Sequence, residues 1–204
     1  MRVGILGGTF DPPHPGHFAL AQAAIEALNL DEVMMLPVHR NPLKNSKRQT
    51  PGKQRMEMLK LAVQGETRRR APLESKLAIS DIELVRGGPS YAVETLQELS
   101  HVRHDEYWFL LGSDALREIE QWKSPEKLVR LCRLGVVLRK GQDKSQLLAT
   151  LPDYVKEAVD WIEMPAIDVS STKIRQRVLE RRSNWHWLDP EVIRYIEEHK
   201  LYRS

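Results

Sequence analysis

The sequence predicts an α/β protein: a doubly wound parallel sheet with helices on both faces. Short apolar runs that can form buried strands alternate with segments of helical spacing along the 204 residues. The first two apolar runs are separated by one helix, and this spacing favours parallel strands with a right-handed crossover. A third run, Tyr107–Leu111, is the clearest buried strand of the chain.

The first β-α-β unit occupies the N-terminal forty residues. Val3–Leu6 is its first strand, and Val33–Leu36 is its second strand, which Pro37 ends. Between them apolar side chains recur every three or four residues, which predicts a helix over about residues 16–28. Asn29 can close this helix in a left-handed conformation.

The same alternation continues to the C-terminus. We expect a polar loop over residues 39–53, a helix over 54–64, a solvated connection over 66–71 and a strand over 77–84. Ser90 is expected to cap a helix over residues 91–99. Further predictions are a helix over 124–131, strands over 134–138 and within 155–164, and helices over 170–179 and 190–199. Residues 1–204 are thus expected to form one domain, with residues 170–204 as a C-terminal helical subdomain.

Composition limits the classes of protein that fit. The net charge of +3 is too small to argue for nucleic acid, and no apolar run approaches the ~20 residues that span a bilayer. Cys132 is the only cysteine, so one chain can form neither a disulfide nor a cysteine metal cluster. We expect a cytoplasmic protein without a nucleic-acid or membrane partner, and a homo-oligomer remains open.

The turn after the first strand is the strongest functional signal. Gly7 and Gly8 can bring the backbone close to a phosphate and take positive φ, and the following helix offers unpaired N–H groups to an anion. His14 and His17 lie one helical turn apart, so both rings can face one ligand. Chance and a metal site are the alternatives, although two histidines without a third ligand make a poor metal site.

The whole segment from Gly7 to His17 reads G-G-T-F-D-P-P-H-P-G-H. It resembles the signature of the nucleotidyltransferases that act through a pair of histidines, which have a Rossmann-like fold. Within that superfamily the chain most resembles the bacterial nicotinate-nucleotide adenylyltransferases. Supporting segments are Val169–Arg175, Pro89–Tyr91, Gly112–Asp114 with Trp122, and the ending from Pro190 to Tyr202.

The resemblance implies a reaction and a set of roles. The reaction joins nicotinate mononucleotide and ATP into nicotinate adenine dinucleotide and pyrophosphate, in NAD biosynthesis, with Mg²⁺ carried on the ATP phosphates and no protein metal site. The implied catalytic residues are His14, His17 and Arg175. The implied ATP-binding residues are Gly7, Gly8, Thr9, Phe10, Lys44, Asp114, Ser171, Thr172 and Ile174.

The acceptor side is implied in the same way. Trp122 would stack on the pyridine ring, and the other implied acceptor residues are Ser90, Tyr91, Ala92 and Lys123. Ala92 stands where the family usually has threonine, and Leu43 stands where a histidine often precedes the loop lysine. A preference for nicotinamide mononucleotide, a phosphopantetheine adenylyltransferase and a non-catalytic nucleotide sensor therefore remain as alternatives.

Overall fold

A computed structural model describes residues 1–43, 49–69, 75–138, 141–182 and 187–203. Six strands in these ranges form one sheet with the order β3-β2-β1-β4-β5-β6, and every neighbouring pair is parallel. The strands are β1 (Arg2–Gly8), β2 (Glu32–Pro37), β3 (Leu77–Ile79), β4 (Glu106–Gly112), β5 (Arg133–Val137) and β6 (Val159–Ile162). This is the strand order of the doubly wound Rossmann-like fold, so the predicted fold class is confirmed.

Ten α-helices and one 3₁₀ turn (Ile119–Gln121) connect these strands within the described ranges. The helices are α1 (Pro15–Leu28), α2 (Gly52–Arg69), α3 (Ile82–Arg86), α4 (Ala92–Val102), α5 (Ser113–Arg117), α6 (Pro125–Leu131), α7 (Lys144–Ala149), α8 (Asp153–Lys156), α9 (Ser171–Leu179) and α10 (Pro190–Glu198). None of them is long and apolar enough to cross a membrane.

Both faces of the sheet are packed. One buried cluster joins the sheet to α1, α2, α9 and α10, and the other joins it to α4, α6 and α8. Alternate residues of β1 supply the two clusters, since Ile5 faces the second and Leu6 the first. The division into one domain with a subdomain over residues 170–204 stays a prediction.

Several elements differ from the expectations. The predicted strand over residues 77–84 ends at Ile79, and α3 follows it at once. The expected solvated connection over residues 66–71 is helical as far as Arg69, and Glu66 is buried there. Helix α2 continues because Arg69 forms ion pairs with Glu66 and with Asp189 before α10.

Ser90 does not cap α4, as had been expected. Its Oγ accepts a hydrogen bond from the His39 N–H at 2.9 Å, while its own N–H donates to the Arg40 carbonyl at 2.8 Å. Ser90 therefore joins the turn before α4 to the chain that follows β2. Asn29, in contrast, ends α1 as predicted, with φ and ψ both 49°.

Two side chains at the amino ends of the central strands are tightly enclosed. The Trp108 Nε1–H donates to the Asp160 carboxylate at 2.8 Å, and Cys132 at the start of β5 is buried. Burial raises the pKa of the Cys132 thiol to about 12. This end of the sheet is opposite to the strand ends that carry the functional motifs.

Candidate active site

The carboxyl ends of β1 and β4 form the crevice where the strand order reverses. Open α/β sheets bind their ligands at this point, because the connections run to opposite faces on either side of it. Strand β1 runs two residues further than expected, so that Gly7 and Gly8 pair with Leu36 and Pro37 of β2. The sequence thus places its first motif at the crevice.

The backbone reversal after β1 occurs at Phe10 and not at the glycines. Phe10 has a φ of 48°, whereas neither Gly7 nor Gly8 has a positive φ, so this expectation was wrong. Gly8 is needed for another reason: a Cβ there would lie 3.0 Å from the Phe10 ring. Phe10 itself is buried, with its ring 4.8 Å from that of His17. Thr9 presents its carbonyl to the Arg55 guanidinium.

His14 and His17 lie against each other at the start of α1. Their ring centroids are 3.8 Å apart and the planes are inclined by 29°. Gly16 makes this possible, since a Cβ there would lie 3.0 Å from His14 Cε1. The His14 backbone N–H donates to His17 Nδ1 at 3.1 Å. Because Nδ1 accepts, the neutral His17 ring carries its proton on Nε2 and can donate from there.

Both imidazoles are neutral near pH 7 in the absence of a ligand. Burial lowers the pKa of His14 from 6.5 to about 4. Burial also lowers the pKa of His17, and the neighbouring His14 lowers it further. An anion beside the pair would oppose both effects, because it would favour the protonated rings. His14 Nδ1 is buried and accepts or donates no hydrogen bond among the described residues.

Helix α9 packs its first turn against the loop that carries the histidines. The Ser171 hydroxyl donates to the Pro12 carbonyl at 2.8 Å, and Arg175 Nη1 donates to the Asp11 carbonyl at 2.7 Å. Arg175 Nη2 also reaches Thr172 Oγ1 at 3.3 Å. The two motifs, about 160 residues apart in sequence, are therefore joined directly.

The other residues of α9 divide by burial. Ser170 caps the helix by accepting from the Lys173 N–H at 3.2 Å, and Thr172 is exposed. Ile174 is completely buried in the core. Its implied contact with ATP is therefore not available to the side chain.

The expected acceptor residues gather at the start of α4 and after the 3₁₀ turn. Lys123 Nζ lies 4.5 Å from the centroid of the Tyr91 ring and forms an ion pair with Glu94. Trp122 meets Phe109 of β4 edge to face, with the centroids 5.5 Å apart. Trp122 is partly buried, although its polar neighbours predicted exposure, and no described residue accepts from its Nε1–H.

The first turn of α4 lies in the same group. Tyr91 is the residue that precedes the helix, Ala92 is its first residue, and no side chain caps it. The sequence did not single out His39, whose ring nitrogen Nδ1 lies 2.8 Å from the Gly88 carbonyl and helps to hold this turn. Only its position after β2 could have pointed to that contact.

Asp114 lies at the carboxyl end of β4, at the start of α5. Its carboxylate is exposed and accepts a hydrogen bond from Gln142 Nε2 at 2.7 Å. The same Gln142 side chain accepts from the buried Ser113 hydroxyl. Lys44 lies outside the described residues. Among the described residues, no three His, Cys, Asp or Glu side chains gather closely enough to hold a metal ion.

A Rossmann-like crevice with paired imidazoles at one helix start and an arginine on a second helix defines an enzyme of the nucleotidyltransferase class. Comparison with known proteins agrees, since residues 5–177 match the cytidylyltransferase-like family. The chain belongs to this family and, within it, to the nicotinate-nucleotide adenylyltransferases.

Two relatives illustrate this membership. The probable nicotinate-nucleotide adenylyltransferase of Roseiflexus sp. (strain RS-1) is 38% identical over 98% of this chain and 98% of its own. That of Synechococcus sp. (strain JA-3-3Ab) is 36% identical over 98% of this chain and 94% of its own.

A solved structure agrees on the fold. Plasmodium falciparum nicotinic acid mononucleotide adenylyltransferase, complexed with NaAD, superposes with a TM-score of 0.78, covering 98% of this chain and 97% of its own at 22% identity.

Proposed function

We propose that the crevice transfers the adenylyl group of ATP to nicotinate mononucleotide, giving nicotinate adenine dinucleotide and pyrophosphate. The observation that carries the proposal is the contact between the two motifs. His14 and His17 lie at the start of α1, and Arg175 of α9 donates to the loop immediately before them. The names of the full-length relatives support the same reaction.

The triphosphate would lie between the starts of α1 and α9. Both helices present unpaired N–H groups and the positive end of the helix dipole to an anion. His17 would donate from Nε2, the tautomer that the His14 N–H imposes. The remaining contacts would come from the backbone of Gly7, Gly8, Thr9 and Phe10, from Ser171, Thr172 and Arg175, and from the backbone of Ile174. Lys44 belongs to the same proposal.

The chemical step needs no general base. A 5′-phosphate oxygen of the mononucleotide attacks the α-phosphorus of ATP, the new P–O bond forms, and the bond from the α-phosphorus to the bridging oxygen breaks. The electron pair of that bond leaves with pyrophosphate. Catalysis then depends on alignment and on stabilisation of the charge that moves to the leaving group. A preorganised donor such as His17 typically contributes about 3–4 kcal/mol to such a step.

The acceptor would bind between α4 and the residues that follow the 3₁₀ turn. Trp122 offers an aromatic surface to the pyridine ring. The backbone N–H groups of Ala92 and Lys123 would donate to the ring carboxylate, with Ser90 and Tyr91 shaping the turn. A carboxylate accepts only, whereas a carboxamide needs an acceptor as well, so a set of N–H donors favours nicotinate. The alanine at position 92 leaves this preference to the backbone.

Magnesium would enter as part of the substrate, bound to the ATP phosphates. The protein offers no carboxylate cage in the described part of the crevice: both oxygens of the Asp11 carboxylate accept hydrogen bonds from protein groups. Mg²⁺ commonly keeps several waters and binds through substrate phosphates, which suits this donor set. Asp114 is proposed as a ribose contact and not as a metal ligand.

The proposal includes small-molecule substrates only, a cytoplasmic location, and neither nucleic acid nor a membrane as partner. The net charge of +3 supports this, because it gives no strong overall basic character. Light scattering of the purified protein decides between a monomer and a homo-oligomer.

One assay tests the reaction and the acceptor together. The purified protein is incubated with ATP, Mg²⁺ and either nicotinate or nicotinamide mononucleotide, and pyrophosphate and the dinucleotide mass are measured. We expect product with both components present and a higher kcat/KM for nicotinate mononucleotide. His17→Ala, purified in parallel, excludes a contaminating enzyme. Absence of pyrophosphate with either acceptor would support a nucleotide sensor instead, and a higher kcat/KM for nicotinamide mononucleotide would reverse the assigned preference.

A further inference from the structure

A buried polar cluster lies directly behind the histidine loop. Asp11 is 3% exposed, and both of its carboxylate oxygens are occupied. Asp11 Oδ1 accepts from the Tyr202 hydroxyl at 2.6 Å, and Oδ2 accepts from the Thr50 N–H at 3.1 Å. The Asp11 side chain is therefore turned into the protein, and it has no free oxygen to offer a substrate.

An arginine completes this cluster. Arg55 of α2 is 1% exposed, and its guanidinium donates to the Thr9 carbonyl and to the Thr50 carbonyl, both at 2.8 Å. Arg175 donates to the Asp11 carbonyl from the opposite side. The loop of residues 9–11 is thus held by α2, by α9 and, through Tyr202, by the residues after α10.

Tyr202 makes its contact in a conformation that a bulky residue seldom adopts. Its φ is 61°, in the left-handed region that disfavours a side chain with a Cβ. The hydroxyl also lies 3.7 Å from Met58 Sδ of α2. Burial raises the pKa of the Tyr202 phenol, and the Asp11 carboxylate raises it further, so the hydroxyl keeps its proton and donates.

A movement of Asp11 would be transmitted to the imidazoles. Three prolines, Pro12, Pro13 and Pro15, lie between Asp11 and His17, and each fixes its own φ near −65°. This short segment cannot absorb a displacement by easy backbone rotation. The Asp11 position therefore sets the position of the first turn of α1.

We propose that Tyr202 is a positioning residue for adenylyl transfer: its hydroxyl fixes Asp11, and through Asp11 it holds His14 and His17 in the catalytic arrangement. The inference rests on the proposed function for its kinetic consequence. It deepens that function by adding Tyr202, together with Arg55 behind the loop, to the groups on which the rate depends. Neither residue is assigned to contact a substrate.

Tyr202→Phe tests the proposal, with Tyr107→Phe as the matched control. The control also removes one phenol hydroxyl, which donates to the Arg103 carbonyl at 3.3 Å at the opposite edge of the sheet. For Tyr202→Phe we expect kcat to fall about tenfold while the KM values for ATP and mononucleotide stay within about twofold. The control should keep kcat within about twofold of the wild type. Rates are measured where circular dichroism shows each variant fully folded.

A second readout does not depend on turnover. The ring ¹⁵N resonances of His14 and His17 should shift in Tyr202→Phe and stay in place in Tyr107→Phe. A merely structural role would lower the melting temperature while kcat and these resonances stayed unchanged, and that result would overturn the inference. If the wild type releases no pyrophosphate, the proposed function fails, and the NMR comparison still decides whether Tyr202 positions the rings.

Asp11→Asn perturbs the same contact from the other side, and it serves if Tyr202→Phe does not fold. It removes the carboxylate charge and places an amide opposite one of the two donors. We expect the same fall in kcat with the KM values retained. Unchanged kcat in this variant would contradict the assigned role of the cluster.

Discussion

Replacing His14 with asparagine removes an imidazole whose protonated form the folded protein disfavours. The pKa of His14 falls from 6.5 to about 4 on burial. Between these two pH values the unfolded chain binds more protons at this position than the folded chain does. Acidification therefore favours unfolding: the stability present above pH 6.5 is lost as the pH falls towards 4.

The size of the effect follows from the two pKa values. At pH 5 protonation of the unfolded chain costs the fold about 2 kcal/mol, and at pH 4 and below the cost approaches about 3 kcal/mol. Asparagine abolishes this cost because it does not titrate. It also suits the position before α1, where short polar side chains are favoured. The acid sensitivity of the wild type should thus exceed that of His14→Asn by these amounts.

Urea unfolding of both proteins at pH 7.5, 6, 5 and 4 measures the difference. The free energy of unfolding of the wild type relative to His14→Asn should fall by about 2 kcal/mol between pH 7.5 and 5. His104→Asn, which removes a solvent-exposed imidazole, is the control and should show no comparable change. A difference that stays constant with pH for His14→Asn would refute the argument from burial.

Three further variants test other parts of the molecule. His17→Ala should lower kcat at least about a hundredfold with the fold intact, and a change below about fivefold would remove His17 from its role. Trp122→Ala should raise the KM for the mononucleotide about tenfold and leave the KM for ATP nearly unchanged, whereas equal effects on both would place it outside the acceptor site. Gly65→Ala should destabilise the fold by about 2 kcal/mol in urea unfolding, because the new Cβ would lie 1.9 Å from Asp189 Oδ2, while Gly112→Ala meets no atom within 4 Å and should be close to neutral.

The fold was predictable because its strands are strongly apolar and its helices are strongly periodic. The motif from Gly7 to His17 and the segment at Ser171–Arg175 could be found from residue types alone, since helix starts with hydroxyls, imidazoles or arginine suit phosphates. Their direct contact follows from the topology of the sheet. It could be expected only once both motifs were placed at the carboxyl ends of the strands.

The errors came from local signals that distant contacts overruled. Ser90 has the composition of a helix cap, but its hydroxyl is taken by the His39 N–H, 51 residues away. Glycines predicted a positive φ after β1, but the reversal falls on Phe10, which core packing holds in place. The Asp11 contact with Tyr202 spans 191 residues, and no periodicity or spacing announces such a pair.

The lowered pKa values of the two histidines were also beyond the sequence. Composition shows that His14 and His17 are neighbours on a helix, and it does not show how far each ring is withdrawn from water. Burial is the larger cause for both pKa shifts, and burial is a property of the packed loop. The electrostatic character of the site is therefore a consequence of tertiary structure.

The enclosed thiol at the start of β5 has a practical consequence. Cys132 is the only cysteine of the chain, and its raised pKa keeps the reactive thiolate scarce at neutral pH. Alkylating reagents should reach it only when the sheet opens, so the labelling rate reports how often the native molecule unfolds. A cysteine introduced on the surface could then carry a fluorophore selectively, without prior removal of the natural one.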